Sequence, residues 1–221
     1  MFVQKQSPWE ATGDIEERRT EILRSLGHVV RDRRNSSPSM QNIADQVGIT
    51  RTNLYYYFRD KKDIFFHCHL SIMEGSLLAL KRVEAMDGKA SDRLRTLLVL
   101  HIRSILDESY GAVVLTDLGW FSAPQKRKYF ALRDKFERGV RRLIEEGIAA
   151  GEFPVRSVNL AGFAILGGIN WISKWFDPEG PESIASIANA FADLYVAGLK
   201  APIEPIVPDD SGVSERQENQ R

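Results

Sequence analysis

A chain of 221 residues, 43% hydrophobic and 27% charged, has the length of one or two domains and the composition of a globular protein, which excludes a disordered, fibrous or disulfide-stapled scaffold. Thirty basic side chains balance thirty acidic ones, so a nucleic-acid or membrane partner has to be sought in local charge. The one cysteine, Cys68, cannot close an intrachain disulfide; a cytoplasmic setting is expected, and residues 1–13 lack the apolar core flanked by basic residues of a secretory leader.

Apolar spacing reads as helix almost throughout, and no alternating strand pattern stands between turn signals, so the expected fold is all-α. After a flexible stretch at 1–13, Asp14 is placed to cap a helix reaching about Arg34, with Ile15, Ile22, Leu26, Val29 and Val30 as its apolar positions. Asn35 to Pro38 end it. Ser39 then precedes a two-turn helix (Met40, Ile43, Ala44, Val47) that stops at Gly48, the residue best able to adopt positive φ. A second short helix is expected from Thr50 to about Tyr57, and a long one from Lys61 to about Val83. Residues 86–91 break the chain before a helix through Leu94, Leu98 and Ile105. A shorter one follows from Tyr110 to about Leu118, then a basic-faced helix from about Ser122 to Ala150, ending at Gly151 with Pro154 beyond. Two more are expected, at about Ser157 to Phe176 and about Pro181 to Leu199, before a disordered tail at 201–221. The run Leu160–Ile172 falls short of the roughly 20 apolar residues a membrane span needs. Interrupted by Asn170 and followed by Lys174, it reads as a helix buried on two sides, and no membrane partner is expected.

Helix, three-residue turn, helix between Ser39 and Lys61 is the arrangement that lays a second helix in a DNA major groove. Ile43, Ala44, Val47, Ile49 and Leu54 supply the contacts between two helices too short to fold alone, so the preceding helix must complete a three-helix unit. Local charge agrees. From Arg18 to Lys62 there are ten basic and four acidic residues, +6, leaving −6 for the rest of the chain. A basic end on an acidic body suits a reader of backbone phosphates.

The segment GITRTNLYYYFRDKKDIF, preceded by SMQNIA, resembles the DNA-binding signature of the tetracycline-repressor (TetR) family of bacterial regulators over about Ile22 to Phe65. Tyr57 departs from it where the family often has histidine, and still offers a donor. The resemblance implies a helix-turn-helix domain at 14–60 and a helical effector-binding and dimerisation domain at 61–200. It implies that Ser39, Tyr55, Tyr56 and Lys61 hold backbone phosphates, while Gln41, Thr50, Arg51, Thr52 and Asn53 sit at the reading face. Arg51 suits a bidentate contact to guanine. Three consecutive tyrosines cannot share one helix face, so one packs inward, and Phe58 is expected in the core.

About 150 residues beyond the motif exceed what DNA binding needs and are expected to receive a signal and form a homodimer. The last two helices are the candidate interface: Leu160, Phe163, Ala164, Gly167, Gly168, Trp171 and Trp175 on one, Ile184, Ile187, Phe191, Leu194, Tyr195 and Gly198 on the other, as a four-helix bundle in which Gly167 and Gly168 let backbones approach. Trp120, Phe121, Tyr129, Phe163 and Phe176 are the candidate lining of a pocket for a small hydrophobic effector. GEFP and the GGINWISKWFDPEGP run are similar to family members that respond to fatty acyl or steroid-degradation coenzyme A thioesters. For such a ligand Lys126, Arg127, Lys128, Arg133, Arg138, Arg141 and Arg142 offer phosphate partners on one helix. No cofactor, catalytic residue or metal is expected: His67, Cys68 and His69 lack the i, i+4 spacing of helical metal ligands, and no phosphate loop or nucleophile elbow stands out. The other reading left by the residues is a helical ligand-binding or scaffold protein without DNA contact.

Overall fold

The computed structural model describes residues 15–25, 39–106 and 118–202. Residues 1–13, the cap expected at Asp14, the run from 26 to Pro38, nearly all of the short helix expected from Tyr110, and the residues from 203 onward lie outside the described residues. Among the described residues eight α-helices follow one another: α1 (Ile15–Ser25), α2 (Met40–Val47), α3 (Arg51–Tyr57), α4 (Lys61–Glu84), α5 (Ala90–Leu106), α6 (Ala123–Ala149), α7 (Val158–Trp175) and α8 (Ile184–Lys200), with a 3-10 turn at Leu118–Trp120 before α6. No strand occurs among the described residues, so the fold is all-α, an N-terminal helix-turn-helix followed by a helical body.

Side-chain caps set most of the boundaries. Ser39, Thr50, Asp60, Ser122, Ser157 and Ser183 each stand in extended backbone and accept a hydrogen bond from a backbone N–H of the helix that follows. The last helix was expected from Pro181; it starts three residues later because Ser183 takes the Ser186 N–H at 3.0 Å. α6 ends where Gly151 turns to φ 71° and the Glu152 N–H donates back to the Gly147 carbonyl at 2.8 Å.

Two cores form. The small one holds Ile22 and Leu23 of α1, Met40, Ile43, Ala44 and Val47 of α2, Leu54 and Phe58, and Ile64, Phe65 and Cys68 from the start of α4. The large one is built around α5, whose Leu94, Leu97, Leu98 and Ile102 are fully buried among α4, α6, α7 and α8. α4 and α6 come close at Gly139, where any Cβ would overlap the Leu80 side chain. One buried polar pair sits in this core. Ser76 Oγ lies 2.8 Å from His101 Nδ1 and donates to the Ile72 carbonyl at 2.9 Å, and burial holds the imidazole neutral, with its pKa down at about 4.

α7 differs from expectation. It is not buried on two sides: Gly162, Ile165, Ile169, Ile172 and Ser173 face the core, while Leu160, Phe163, Trp171 and Trp175 face outward. Residues apolar on both faces fit either orientation, and packing against α6 settles which side turns inward. No helix among the described residues is long and apolar enough to cross a membrane.

The N-terminus of α5 has no capping side chain of its own; Glu152, arriving after α6, serves instead, accepting the Ala90 and Ser91 N–H groups at 2.9 and 3.1 Å. Burial would raise the carboxyl's pKa, but these hydrogen bonds and the charge of Lys200 outweigh it and hold the group below its ordinary value. Glu152→Ala is expected to cost about 1 kcal/mol in urea unfolding at neutral pH, the usual worth of a cap. Because the folded pKa is depressed, the wild type's margin is complete above the unfolded value of 4.5 and disappears as pH falls through the folded one.

Candidate nucleic-acid interface

α2 and α3 are joined by Gly48, Ile49 and Thr50. Gly48 sits at φ 75°, and its N–H, with that of Ile49, closes the end of α2 onto the Asp45 and Ala44 carbonyls. Leu54 and Phe58 of the second helix are buried, as are Ile43, Ala44 and Val47 of the first, so the remaining faces of both helices point to water. Phe58 therefore lies in the core, and Tyr57 is the tyrosine that turns inward: it is half-buried, packs on the small core, and accepts the Arg19 guanidinium on its carbonyl at 3.1 Å.

The residues expected to meet DNA occupy the outward surface. Gln41, Thr50, Arg51, Thr52, Asn53, Tyr55 and Tyr56 are all exposed, Tyr56 at 68%, and Lys61 is half-exposed at the start of α4. Several have a local partner. Ser39 and Asn42 close a capping box, in which the Asn42 N–H donates to Ser39 Oγ at 3.1 Å and the Ser39 N–H to Asn42 Oδ1 at 3.2 Å. Gln41 donates to Asp45 at 2.7 Å. Arg51 lies along Tyr55, donating to its hydroxyl at 3.2 Å with the guanidinium 5.5 Å from the ring centre. Such contacts order long side chains on one face before a partner arrives.

Asp63 is a functional candidate that the sequence reading missed. Buried at the base of α4, it accepts the Arg59 N–H at 3.2 Å and the Arg59 guanidinium at 3.1 Å, while Gln125 of α6 approaches at 3.4 Å. Burial pushes the carboxyl's pKa up, yet the Arg59 hydrogen bonds and charge, aided by His67, outweigh it and hold it below the usual range. The aspartate thus ties the end of the helix-turn-helix to the helix that leaves it. Its spacing to Arg59 is i, i+4; nothing in the sequence announces Gln125.

The five aromatic residues expected to line a pocket do not gather as a set. Phe121 and Tyr129 do meet, around His69, with ring centres 5.3 and 5.6 Å from the imidazole, and Phe66 closes on Phe121 at 5.4 Å. Burial raises the Tyr129 pKa, which keeps its hydroxyl protonated. Trp120 stands beside them but stacks toward Phe65 at 5.7 Å. Phe163 is 57% exposed on the outer face of α7 with the Arg141 guanidinium 4.9 Å over it, and Phe176 packs on the large core at the end of α7. His69 and Phe66 were not anticipated. On the basic helix, Arg141 pairs with Glu137 and Arg142 with Glu84. Among the described residues no group of three His, Cys, Asp or Glu side chains is arranged to hold a metal ion.

Residues 36–68 match the family described as bacterial regulatory proteins, tetR family, and residues 87–199 match the tetracyclin repressor-like C-terminal domain. The chain is 24% identical over 202 residues to the HTH-type transcriptional repressor KstR2 of Rhodococcus jostii, a stretch covering 88% of this chain and 97% of that one. Among solved structures, the TetR family regulator PfmR from Thermus thermophilus is 27% identical with a TM-score of 0.72, over 81% of this chain and 99% of PfmR. AibR, solved with isovaleryl coenzyme A and operator DNA, is 22% identical with a TM-score of 0.67, over 84% of this chain and all of AibR, a likeness of fold.

A Cβ at Gly48 would meet nothing within 4 Å, so substitution there is resisted by backbone conformation and not by space. Gly48→Ala is expected to lower stability by about 1 kcal/mol, the cost of the left-handed region for a residue with a Cβ, and Gly48→Asn by less. Equilibrium denaturation of both variants measures it; equal losses would count against a conformational cause.

Proposed function

We propose that this chain, which belongs to the tetR family of bacterial regulatory proteins, is a homodimeric repressor that grips operator DNA through α2 and α3 and lets go when a small, largely apolar effector enters its helical body. One observation carries the reading: the helix pair buries Ile43, Ala44, Leu54 and Phe58 and leaves Gln41, Arg51, Thr52, Asn53, Tyr55 and Tyr56 on the open side. In this reading Ser39, Tyr55, Tyr56 and Lys61 hold phosphates and set register, and Gln41, Thr50, Arg51, Thr52 and Asn53 stand at base edges. The domain division follows: 14–60 reads DNA, 61–200 binds effector and partner.

Dimerisation uses the outward face of α7 with α8. Leu160, Trp171 and Leu194 are 64–68% exposed there, an apolar surface of the kind that marks an interface. Gly167 and Gly198 lie on it with open space beyond, which suits close helix approach, whereas Gly168 faces Tyr195 of its own protomer and Ile184 and Ile187 pack on the protomer's own large core, so these do not belong to the outward face. Two reading heads held about 34–36 Å apart would fit successive major grooves. An effector that prefers another arrangement of α4 changes that spacing and shifts the population away from the DNA-bound form.

The Phe66, His69, Phe121 and Tyr129 cluster is the best-supported wall of an effector site, because it lies where α4 meets the start of α6. An acyl coenzyme A thioester is the proposed ligand class, supported by the run before and through α7, by the basic residues of α6, and by the ligand in AibR.

Three outcomes are expected. Purified protein retards genomic fragments at low salt, and retention falls steeply as salt rises, because phosphate contacts dominate; Arg51→Ala costs about 1–3 kcal/mol on the selected site and relaxes sequence preference. Failure to bind any duplex at low ionic strength would favour a helical ligand-binding or scaffold protein instead. Gly167→Leu leaves the fold intact and yields monomers in sedimentation, whereas a dimer that tolerates it rejects this interface. Isovaleryl and longer acyl coenzyme A thioesters release bound DNA; if none does, the ligand class is wrong while DNA binding stands.

A further inference from the structure

We propose that Trp120 is a positioning residue for DNA binding: its indole face holds the Lys61 ammonium at the base of α4, where the lysine meets a backbone phosphate. The inference rests on the DNA-binding reading above. The Lys61 Nζ lies 5.6 Å from the centre of the Trp120 ring, within the range of a cation over an aromatic face. The same ring packs on Phe65 of the small core, 5.7 Å away at 43°. Trp120 is thus fixed on the helix-turn-helix side.

The turn that carries it is anchored independently. Phe121 N–H donates to the Leu118 carbonyl at 3.1 Å, and the next residue, Ser122, caps α6 in a reciprocal box with Gln125. Gln125 in turn reaches Asp63 at 3.4 Å, and Asp63 holds Arg59. Indole and amide form two struts from the start of α6 to the base of α4, one apolar and cationic, one hydrogen-bonded.

A lysine ends a flexible four-carbon stem and loses rotamer freedom on gripping a phosphate. Holding the ammonium over a ring beforehand reduces the freedom still to be lost, and the ammonium's three donors leave hydrogens directed away from the ring. A leucine at 120 would keep apolar packing and lose this attraction. Trp120 also bridges the two clusters: its ring meets Phe65 and Lys61 and packs on the group of Phe66, Leu70 and Phe121, while the Phe121 ring meets Phe66, His69 and Tyr129. A ligand that displaces Phe121 therefore moves the residue that aims Lys61.

The test is a salt series of binding measurements by fluorescence anisotropy, on a duplex that the wild-type protein selects from a random library, with melting curves to verify folding. Lys61→Ala is expected to reduce the slope of log K against log salt by about 0.9, one phosphate contact. Trp120→Leu should lower affinity while keeping a slope near wild type, since the contact remains and only its ordering cost rises, Trp120→Phe should keep the affinity, and the double variant should match Lys61→Ala alone. Wild-type affinity in Trp120→Leu, or losses that add in full with Lys61→Ala, would overturn the proposal. Should Trp120→Leu fail to fold, Trp120→Met, which also lacks an aromatic face, carries the same two outcomes. A wild-type protein that selects no duplex at all would instead bring down the DNA-binding reading itself.

Discussion

Helix α4 belongs to two hydrophobic cores at once. Its first two turns place Ile64, Phe65 and Cys68 among the side chains of α1, α2 and α3, and its last three turns place Ile72, Met73, Leu80 and Val83 among those of α5 and α6. With 24 residues it is about 36 Å long at the usual rise per residue. Neither core can tilt this helix without disturbing the other, because close-packed interiors respond to displacement as a unit. Any signal from the body of the protein to the helix-turn-helix has this rod as its shortest route.

The contacts around the base of α4 are where such movement would be felt. Asp63 receives Arg59 from one side and Gln125 from the other, and Lys61 lies over Trp120. The carboxylate is buried, and removing either donor would leave it with fewer partners at a place that solvent reaches poorly. Above it, the rings of Phe66, Phe121 and Tyr129 surround His69, an arrangement far more polarisable than the aliphatic packing of Leu94, Leu97 and Leu98 one layer away. In the proposed effector site, aromatic edges and one imidazole would form the wall, whereas the layer around α5 is aliphatic close packing. The neutral His101, paired with Ser76 deep in that layer, fits the second role: it satisfies polar atoms across α4 and α5 and so favours one register between them.

α7 and α8 follow a different logic. Each turns one apolar face to the large core and keeps another outside, with Gly167 and Gly198 on the open sides. A face of this kind, left in water, is unfavourable by the area it exposes; the proposed dimer would relieve that cost by covering Trp171 and Trp175 with a second copy.

Much of this architecture could be read from residue order because it depends on local rules. Serine or threonine before an apolar run caps a helix, so Ser39, Thr50, Ser122 and Ser157 marked beginnings to within a residue, and a turn that demands positive φ marked Gly48. The helix-turn-helix and its exposed face followed from the same spacing. What packing alone decided lies in pairs distant along the chain. Glu152 caps α5 across some sixty residues, and Gln125 meets Asp63 across a similar gap. Trp120 reaches both Phe65 and the group around Phe121, and Phe163 points away from the other rings because α6 claims the opposite side of its helix. A helical period states which residues share a face; which face turns inward is chosen by the total area that all the helices can bury together, and no single segment contains that sum.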